Sequence, residues 1–169
     1  MVYTIEILVD GGCRNNGYVN AYGAAAAISL PRWGNKYWVK SQKLYENYQT
    51  PPTSQRAEIE DMILGLEFAL ERVEAMDDPE THVDVTIKAD SKYVIGAMQD
   101  WIHGWSRNGW INSRGAGVAN ADLFQETIPL WNRLDAVGDV TFEWISRDKN
   151  HLAHEWCERD IAETEGRSY

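Results

Sequence analysis

The stretch Tyr3-Thr-Ile-Glu-Ile-Leu-Val-Asp10-Gly-Gly12 decides the fold. Its first seven residues are mostly β-branched or otherwise apolar, which predicts a strand over residues 3–9. The Asp-Gly-Gly sequence that follows is typical of a turn. The strand would therefore carry the carboxylate of Asp10 at its tip, at the end of a sheet where ligands commonly bind.

Two further strands are predicted directly downstream, over residues 22–30 and 36–45. Pro31 and Gly34 break the chain between them, which indicates a hairpin. The first three strands of the protein would then form an antiparallel meander.

The rest of the chain alternates helices and strands. Apolar residues at helical spacing predict an amphipathic helix from Ser54 to Met76, which begins after Pro51-Pro52. The other predicted elements are a strand His82–Ala89, a short helix Ser91–Trp101, short helical turns and a loop over 102–118, a helix Ala121–Leu134 with Pro129 as a candidate kink, a strand Asp139–Ile145 and a helix Asn150–Glu163. This β-β-β-α-β-α-α-β-α order predicts an α/β fold, with a five-stranded mixed sheet flanked by helices.

The length of 169 residues and the ordinary composition predict a single domain over residues 1–169. No apolar run could span a bilayer, and the first residues lack the features of a signal peptide. We therefore expect a monomeric, intracellular protein, in the cytoplasm or the nucleus, with no obligate protein partner. Cys13 and Cys157 are too few for a disulfide framework, so both should be reduced thiols.

The net charge of -10 argues against a nucleic-acid partner, because duplex binding normally uses a basic surface. The charge is unevenly distributed, however. Residues 58–80 contain nine acidic residues and one basic residue, whereas residues 91–120 contain three basic residues and one acidic residue. The acidic excess thus lies outside the segment that is rich in tryptophan. A solvated acidic helix would be enough to explain this distribution of charge.

Three acidic residues are candidate metal ligands. Asp10 and Asp90 each follow a predicted strand, and Glu58 lies in the first turn of the long helix. Converging carboxylates suit hard cations such as Mg²⁺, and two such ions can activate water against a phosphodiester. Each acid taken alone has an ordinary structural explanation, since Asp-Gly often forms turns and Glu in a first helical turn complements the helix dipole.

The segment Trp101-Ile-His-Gly-Trp105-Ser-Arg-Asn-Gly-Trp110 interleaves tryptophan with glycine and arginine. Such rings can form a platform that packs on sugars and bases. The alternative is that the rings fill the core, and for Trp110 the core is the better explanation.

Four motifs together resemble the ribonuclease H family, in its cellular single-domain form. They are Asp10-Gly-Gly-Cys-Arg-Asn-Asn16-Gly, Thr53-Ser-Gln-Arg-Ala-Glu58, Ala89-Asp90-Ser-Lys-Tyr-Val and Trp101-Ile-His-Gly-Trp105. They occur in the order and at the spacing of that family, and the likeness extends from about residue 3 to residue 165. The loop Arg147-Asp-Lys-Asn150 resembles an Arg-x-x-Asn subgroup.

The resemblance implies an endonuclease that hydrolyses the RNA strand of an RNA/DNA hybrid with two divalent ions, leaving 5′-phosphate and 3′-hydroxyl ends. It implies that Asp10, Glu58 and Asp90 bind metal, as Mg²⁺ or Mn²⁺. It further implies an RNA-strand contact set of Asn16, Ser54 and Gln55, a DNA-phosphate pocket of Thr53 and Asn120, and an aromatic channel under the DNA strand of Tyr93, Trp101 and Trp105.

The sequence departs from the family at its fourth metal ligand. Where an aspartate is expected, after Asn150-His-Leu-Ala153, this chain has His154. Imidazole binds Mn²⁺ better than Mg²⁺ and must be deprotonated to do so, so His154 as a catalytic metal ligand predicts a preference for Mn²⁺. Glu155 and Asp148 are alternative ligands, and Asp160 is a poorer one.

Two further departures lie at the expected substrate surface. Pro51 stands where some relatives place an arginine beside the phosphate pocket. The segment that is rich in lysine in some relatives has few lysines here. We therefore expect weaker hybrid binding than in basic members of the family. A second function class stays open, in which the loss of the fourth aspartate leaves a hybrid-binding domain with weakened catalysis.

Overall fold

The computed structural model describes residues 2–45 and 50–166. Its elements, in chain order, are β1 (Val2–Arg14), β2 (Tyr22–Ser29), β3 (Trp38–Leu44), α1 (Ser54–Glu74), β4 (His82–Ala89), α2 (Lys92–Gly96), α3 (Ile102–Asn108), α4 (Ala121–Asp135), β5 (Gly138–Trp144) and α5 (His151–Thr164). A π-helical turn, Ala97–Trp101, joins α2 to α3, and a 3-10 turn, Arg147–Lys149, precedes α5. The predicted α/β class and element order are confirmed.

The five strands form one mixed sheet in the order β3-β2-β1-β4-β5. The β1–β2 and β2–β3 pairs are antiparallel, as expected for a meander, whereas β4 is parallel to β1 and β5 is parallel to β4. Helices cover both faces: α1 packs on one side with α4, and α5 packs on β1, β2 and β3 through a separate apolar cluster. This arrangement makes β1 the centre of the fold, with a helix on each side.

Two predictions were incomplete: the strand over residues 3–9 and the short helix Ser91–Trp101. The strand β1 does not end at Val9 but continues to Arg14, because β2 still pairs with it there. The helical path after β4 is broken by the π-helical turn, in which the ring of Trp101 lies against Gly96. A π-helical turn commonly marks a functional segment, and here it carries an aromatic ring of the predicted DNA channel.

Pro129 lies inside α4, and the helix runs from Ala121 to Asp135 as one element. Among the residues that the structure describes, no helix is both long enough and apolar enough to cross a membrane.

Candidate active site

Asp10 and Asp90 lie next to each other where two parallel strands separate. The pairing between β1 and β4 ends at Val9 opposite Ala89, so each aspartate is the residue after that last pair. Beyond this point β1 stays paired only with β2, and the chain after β4 turns into α2. The separation opens a crevice at the carboxyl ends of the strands, with one carboxylate on each side.

Glu58 reaches the same crevice because α1 packs unusually close to β1. A Cβ atom on Gly11 would lie 2.3 Å from the backbone oxygen of Ala57, so only glycine permits this approach. Thr53 caps α1 by accepting a hydrogen bond of 3.0 Å from the Arg56 N–H, which fixes where the helix begins. Glu58, in the second turn of this helix, is thereby held beside the end of β1.

A hydroxyl from the neighbouring helix orients Glu58. Ser91 Oγ donates to Glu58 Oε2 at 2.9 Å, and the same Oγ accepts from the Val94 N–H at 3.3 Å as the N-cap of α2. Ser91 follows Asp90 directly, so one short segment supplies a carboxylate and also positions a second one.

The side chain of Asp10 is buried, and those of Glu58 and Asp90 are half-buried. Burial and then the charge of Asp90 raise the pKa of Asp10 to about 6, against a hydrogen bond from His154 that lowers it. Burial also raises the pKa of Glu58, and the Ser91 hydroxyl opposes that shift. Asp90 Oδ2 is buried and accepts no hydrogen bond from the described residues, although Arg147 Nε lies 3.6 Å away. This set of oxygen donors fits a divalent cation, whose charge would favour the ionised forms.

His154 lies at the same site. Its Nδ1 is 3.0 Å from Asp10 Oδ2. The start of α5 is held there by Asn150, a fully buried residue whose Nδ2 donates to the Val9 carbonyl at 2.8 Å. Asp148 and Glu155, the alternative candidates for a fourth ligand, are both exposed. Of these three residues, His154 is thus the one that contacts a predicted metal ligand.

The residues predicted to contact the RNA strand border this site. Asn16 Oδ1 accepts a hydrogen bond of 3.0 Å from the Ser54 N–H, which joins the loop after β1 to the first turn of α1. Gln55, the next residue, is exposed. All three polar side chains therefore lie along the edge that leads to Glu58.

The predicted phosphate-pocket residues are linked by Arg56, which the sequence analysis did not single out. Asn120, in a left-handed backbone conformation at φ 60°, accepts a hydrogen bond of 3.4 Å from Arg56 Nη1. Asp122 binds the same guanidinium in a bidentate pair at 3.0 and 2.7 Å. Arg56 lies three residues after Thr53 in the motif Thr53-Ser-Gln-Arg-Ala-Glu58, so the sequence already indicated that it lies at the start of α1.

The predicted aromatic channel is continuous with that pocket. Asn120 Nδ2 donates to Tyr93 Oη at 3.4 Å, the Tyr93 and Trp101 rings are 6.4 Å apart, and the Trp101 and Trp105 rings are 5.9 Å apart. Trp101 and Trp105 line an open groove of about 540 Å³. Trp110 packs against the main core through Trp105, as the sequence indicated.

A different acidic group lies far from this site. His82, Asp84 and Asp139 place their ligand atoms within 4.8 Å of one another, and this is the one such group among residues 2–45 and 50–166. It lies at the start of β4, about 20 Å from Asp90 at about 3.3 Å per strand residue. The predicted carboxylates are more widely spaced than this group, so an ion binding among them would draw their oxygens together.

Comparison with known proteins identifies the family. A model of the RNase H family matches residues 3–160. The Ribonuclease H of Rhodospirillum rubrum is 33% identical over 154 residues, which cover 89% of this chain and 76% of that protein.

Solved structures agree on the fold. LC11-RNase H1, solved in complex with an RNA/DNA hybrid, has a TM-score of 0.67 at 22% identity, with 95% of this chain and 98% of that chain covered. RNase H1 from Halobacterium salinarum has a TM-score of 0.64 at 17% identity, with the same two coverages. The sequence match over nearly the whole chain and the shared fold together show that this chain belongs to the ribonuclease H family.

Proposed function

We propose that this protein, as one ribonuclease H domain, is a metal-dependent endonuclease that hydrolyses the RNA strand of RNA/DNA hybrids and leaves 5′-phosphate and 3′-hydroxyl ends. The observation that carries the proposal is the set of three carboxyl groups at the carboxyl ends of β1 and β4: Asp10 is buried, Glu58 and Asp90 are half-buried, and Asp90 Oδ2 has no hydrogen-bond partner among the described residues. A structural relative solved with an RNA/DNA hybrid has the same fold.

The carboxyl groups would hold two divalent ions, Mg²⁺ or Mn²⁺. Bound ions of this kind activate a water molecule for in-line attack and stabilise the leaving 3′-oxygen. The protein contributes the positions of the ligands: Ser91 orients Glu58, and the end of the β1–β4 pairing aligns Asp10 with Asp90. Because Asp10 is buried and Glu58 and Asp90 are half-buried, their charges act in a medium of lower polarity than water.

Recognition of the RNA strand would rest on the polar edge beside Glu58. A hybrid-specific enzyme must read the 2′-hydroxyl, the group that distinguishes RNA from DNA. The amides of Asn16 and Gln55 and the hydroxyl of Ser54 offer donors and acceptors there, and the Asn16–Ser54 hydrogen bond fixes two of them relative to α1.

The DNA strand would lie over the other side of α1. Thr53 and Asn120 would bind one of its phosphates, and Tyr93, Trp101 and Trp105 would pack against its sugars and bases. The guanidinium beside this pocket, Arg56, is already paired with Asp122, so it offers less net charge to a phosphate. This pairing supports weaker hybrid binding than in basic relatives.

A second candidate, a hybrid-binding domain with weakened catalysis, is favoured by one observation. His154 stands in contact with Asp10 where the family has an aspartate, so the site has one fewer negative charge. This second function would be supported if the protein binds the hybrid but cleaves it no faster than the variant Asp10→Asn does.

The deciding experiment uses three duplexes of one sequence: an RNA/DNA hybrid, duplex RNA and duplex DNA. We expect cleavage of the RNA strand in the hybrid alone, with Mg²⁺ or Mn²⁺, and none with EDTA. Extension of the products by a polymerase would confirm 3′-hydroxyl ends. Equal cleavage of the hybrid and of duplex RNA would contradict the proposal, and gel filtration would test the expected monomer.

A further inference from the structure

Asp61 is a buried aspartate in the middle of α1 that the proposed mechanism does not use. It is 2% exposed, and its Oδ1 has no hydrogen-bond partner among the described residues. A carboxyl group in such a position costs free energy unless another group compensates its charge. Its presence therefore calls for a ligand or a function.

The packing of α1 places Asp61 over β1 at the level of Asp10. Four residues before it, Ala57 touches Gly11, and four residues after it, Gly65 lies against Val9. Residues spaced by four lie on one face of a helix, so Asp61 faces β1 between those two contacts. Glycine at position 11 leaves no side chain between α1 and this part of the strand.

The electrostatic surroundings of Asp61 are those of the active site. Burial raises its pKa well above the usual range, and the next causes in order of size are the charges of Asp10, Glu58 and Asp90. The charges of the three predicted metal ligands thus oppose the ionisation of Asp61, in agreement with the helix face that turns it toward the end of β1. A cation bound among them would reverse this effect, because all four carboxylates would then share its charge.

We propose that Asp61 is an additional carboxylate of the metal site, which supplies from α1 the negative charge that His154 does not supply from α5. The proposal rests on the proposed function, since it assumes that Asp10, Glu58 and Asp90 bind the ions. Asp61 is a positioning residue in this scheme: it strengthens ion binding through its charge and does not need to touch the substrate.

The sequence shows why this residue is easy to overlook. Asp61 belongs to the acidic segment 58–80, most of whose acids lie on solvated surfaces. Its neighbours Met62 and Ile63 belong to the apolar stripe of the helix, and α1 is buried on more than that one stripe. The stripe pattern therefore does not mark position 61 as buried.

The test measures metal affinity without substrate. Mg²⁺ and Mn²⁺ are titrated by calorimetry into the whole protein and into Asp61→Asn, with Glu67→Gln as the matched control. Glu67 is a half-buried acid on the same helix, six residues farther along α1, about 9 Å at 1.5 Å per residue. We expect Asp61→Asn to weaken metal binding by about tenfold or more, because it removes one charge from a site of low polarity, and Glu67→Gln to leave it unchanged.

A second variant separates charge from structure. If Asp61 replaces the charge missing at position 154, the double variant Asp61→Asn/His154→Asp should regain the metal affinity of the parent. Thermal unfolding in EDTA checks that each variant folds. If Asp61→Asn does not fold, Asp61→Ala replaces it in the same titrations.

The outcomes distinguish the two proposals. Unchanged metal affinity in a folded Asp61→Asn would overturn the role of Asp61, and so would a loss that His154→Asp does not restore. If Asp10→Asn abolishes metal binding in the same titrations, the proposed function survives that result. If the parent binds neither metal, the metal-dependent function and the role of Asp61 both fail.

Discussion

The strand β4 has acidic residues near both of its ends, and the two ends differ in how those acids are held. At the start, Asp84 and Asp139 are directly opposite in the β4–β5 register, and His82 Nε2 lies 3.0 and 3.2 Å from their oxygens. At the other end, Asp90 Oδ2 is buried with no hydrogen bond from the described residues.

This difference favours the Asp90 group, which comprises Asp90, Asp10 and Glu58, as the one that binds an ion. The His82 group is exposed to water and its members satisfy one another, so it needs no ion to be stable. Asp90 lies beside Asp10, which is buried, and Glu58, which is half-buried, and burial raises the pKa values of both neighbours. On this argument, burial without partners favours this group as the cation site over the more closely spaced His82 group.

The largest expected difference between the two ends is in cleavage. Asp90→Asn should lower the rate of hybrid cleavage by about a thousandfold or more, because it removes a charged ligand from a shared ion site. Asp84→Asn, the matched change at the other end of the strand, should stay within about twofold of the parent. Single-turnover cleavage of a labelled hybrid measures both, and equal losses would refute the distinction.

The next effect is on the pH dependence of stability without metal. The pKa of Asp10 is raised to about 6 in the folded protein, so the folded state binds the extra proton. The contribution of Asp10 to the free energy of unfolding should therefore fall as the pH rises from about 4 to about 6, by no more than about 3 kcal/mol.

Urea unfolding in EDTA measures this fall. Asp10→Asn should reduce it by the contribution of Asp10 and make the protein more stable than the parent at pH 7, while Glu58 and Asp61 contribute to the fall that remains. Asp84→Asn should leave the slope as it is. A slope in Asp10→Asn equal to that of the parent would contradict the assignment.

A smaller effect is expected from position 154. His154→Asp should raise the Mg²⁺-dependent rate by about tenfold and reduce the preference for Mn²⁺, because carboxylate oxygen suits Mg²⁺ better than imidazole nitrogen does. Initial rates with both metals from pH 5.5 to 8.5 provide the measurement.

His154→Ala serves as the control for the same experiment. If it matches the parent with both metals at every pH, His154 has no part in the reaction and its contact with Asp10 is structural.

The smallest effect is expected at the start of β4. His82→Ala should lower the free energy of unfolding, because Asp84 and Asp139 then face each other without a partner. The loss should be less than about 1 kcal/mol, because the lost pairs are exposed to water. The difference should shrink in 1 M NaCl. Urea unfolding at two salt concentrations tests it, and a loss of several kcal/mol would mean that this group is not a simple surface cluster.

The sequence predicted most of the fold because its elements have strong local patterns. The helix α1 begins at Ser54 as expected, where Thr53 provides the cap, and β4 has the predicted bounds His82–Ala89. The end of β1 was misjudged, because the Asp-Gly-Gly sequence favours a turn locally while pairing with β2 keeps the chain extended to Arg14. Pairing with a distant strand is not visible in a local pattern.

The sequence by itself determined the class of fold, the family and the candidate ligands Asp10, Glu58 and Asp90. These follow from periodicity and from motifs a few residues long, which are properties of the sequence and do not depend on contacts between distant segments. The tertiary structure alone decided which acids share a site. It separated Asp84 from Asp90, which lie near opposite ends of β4, and it turned Asp61 toward β1 between the contacts that Ala57 and Gly65 make with that strand. The physical reason is that burial and the loss of hydrogen-bond partners arise only when distant segments pack together.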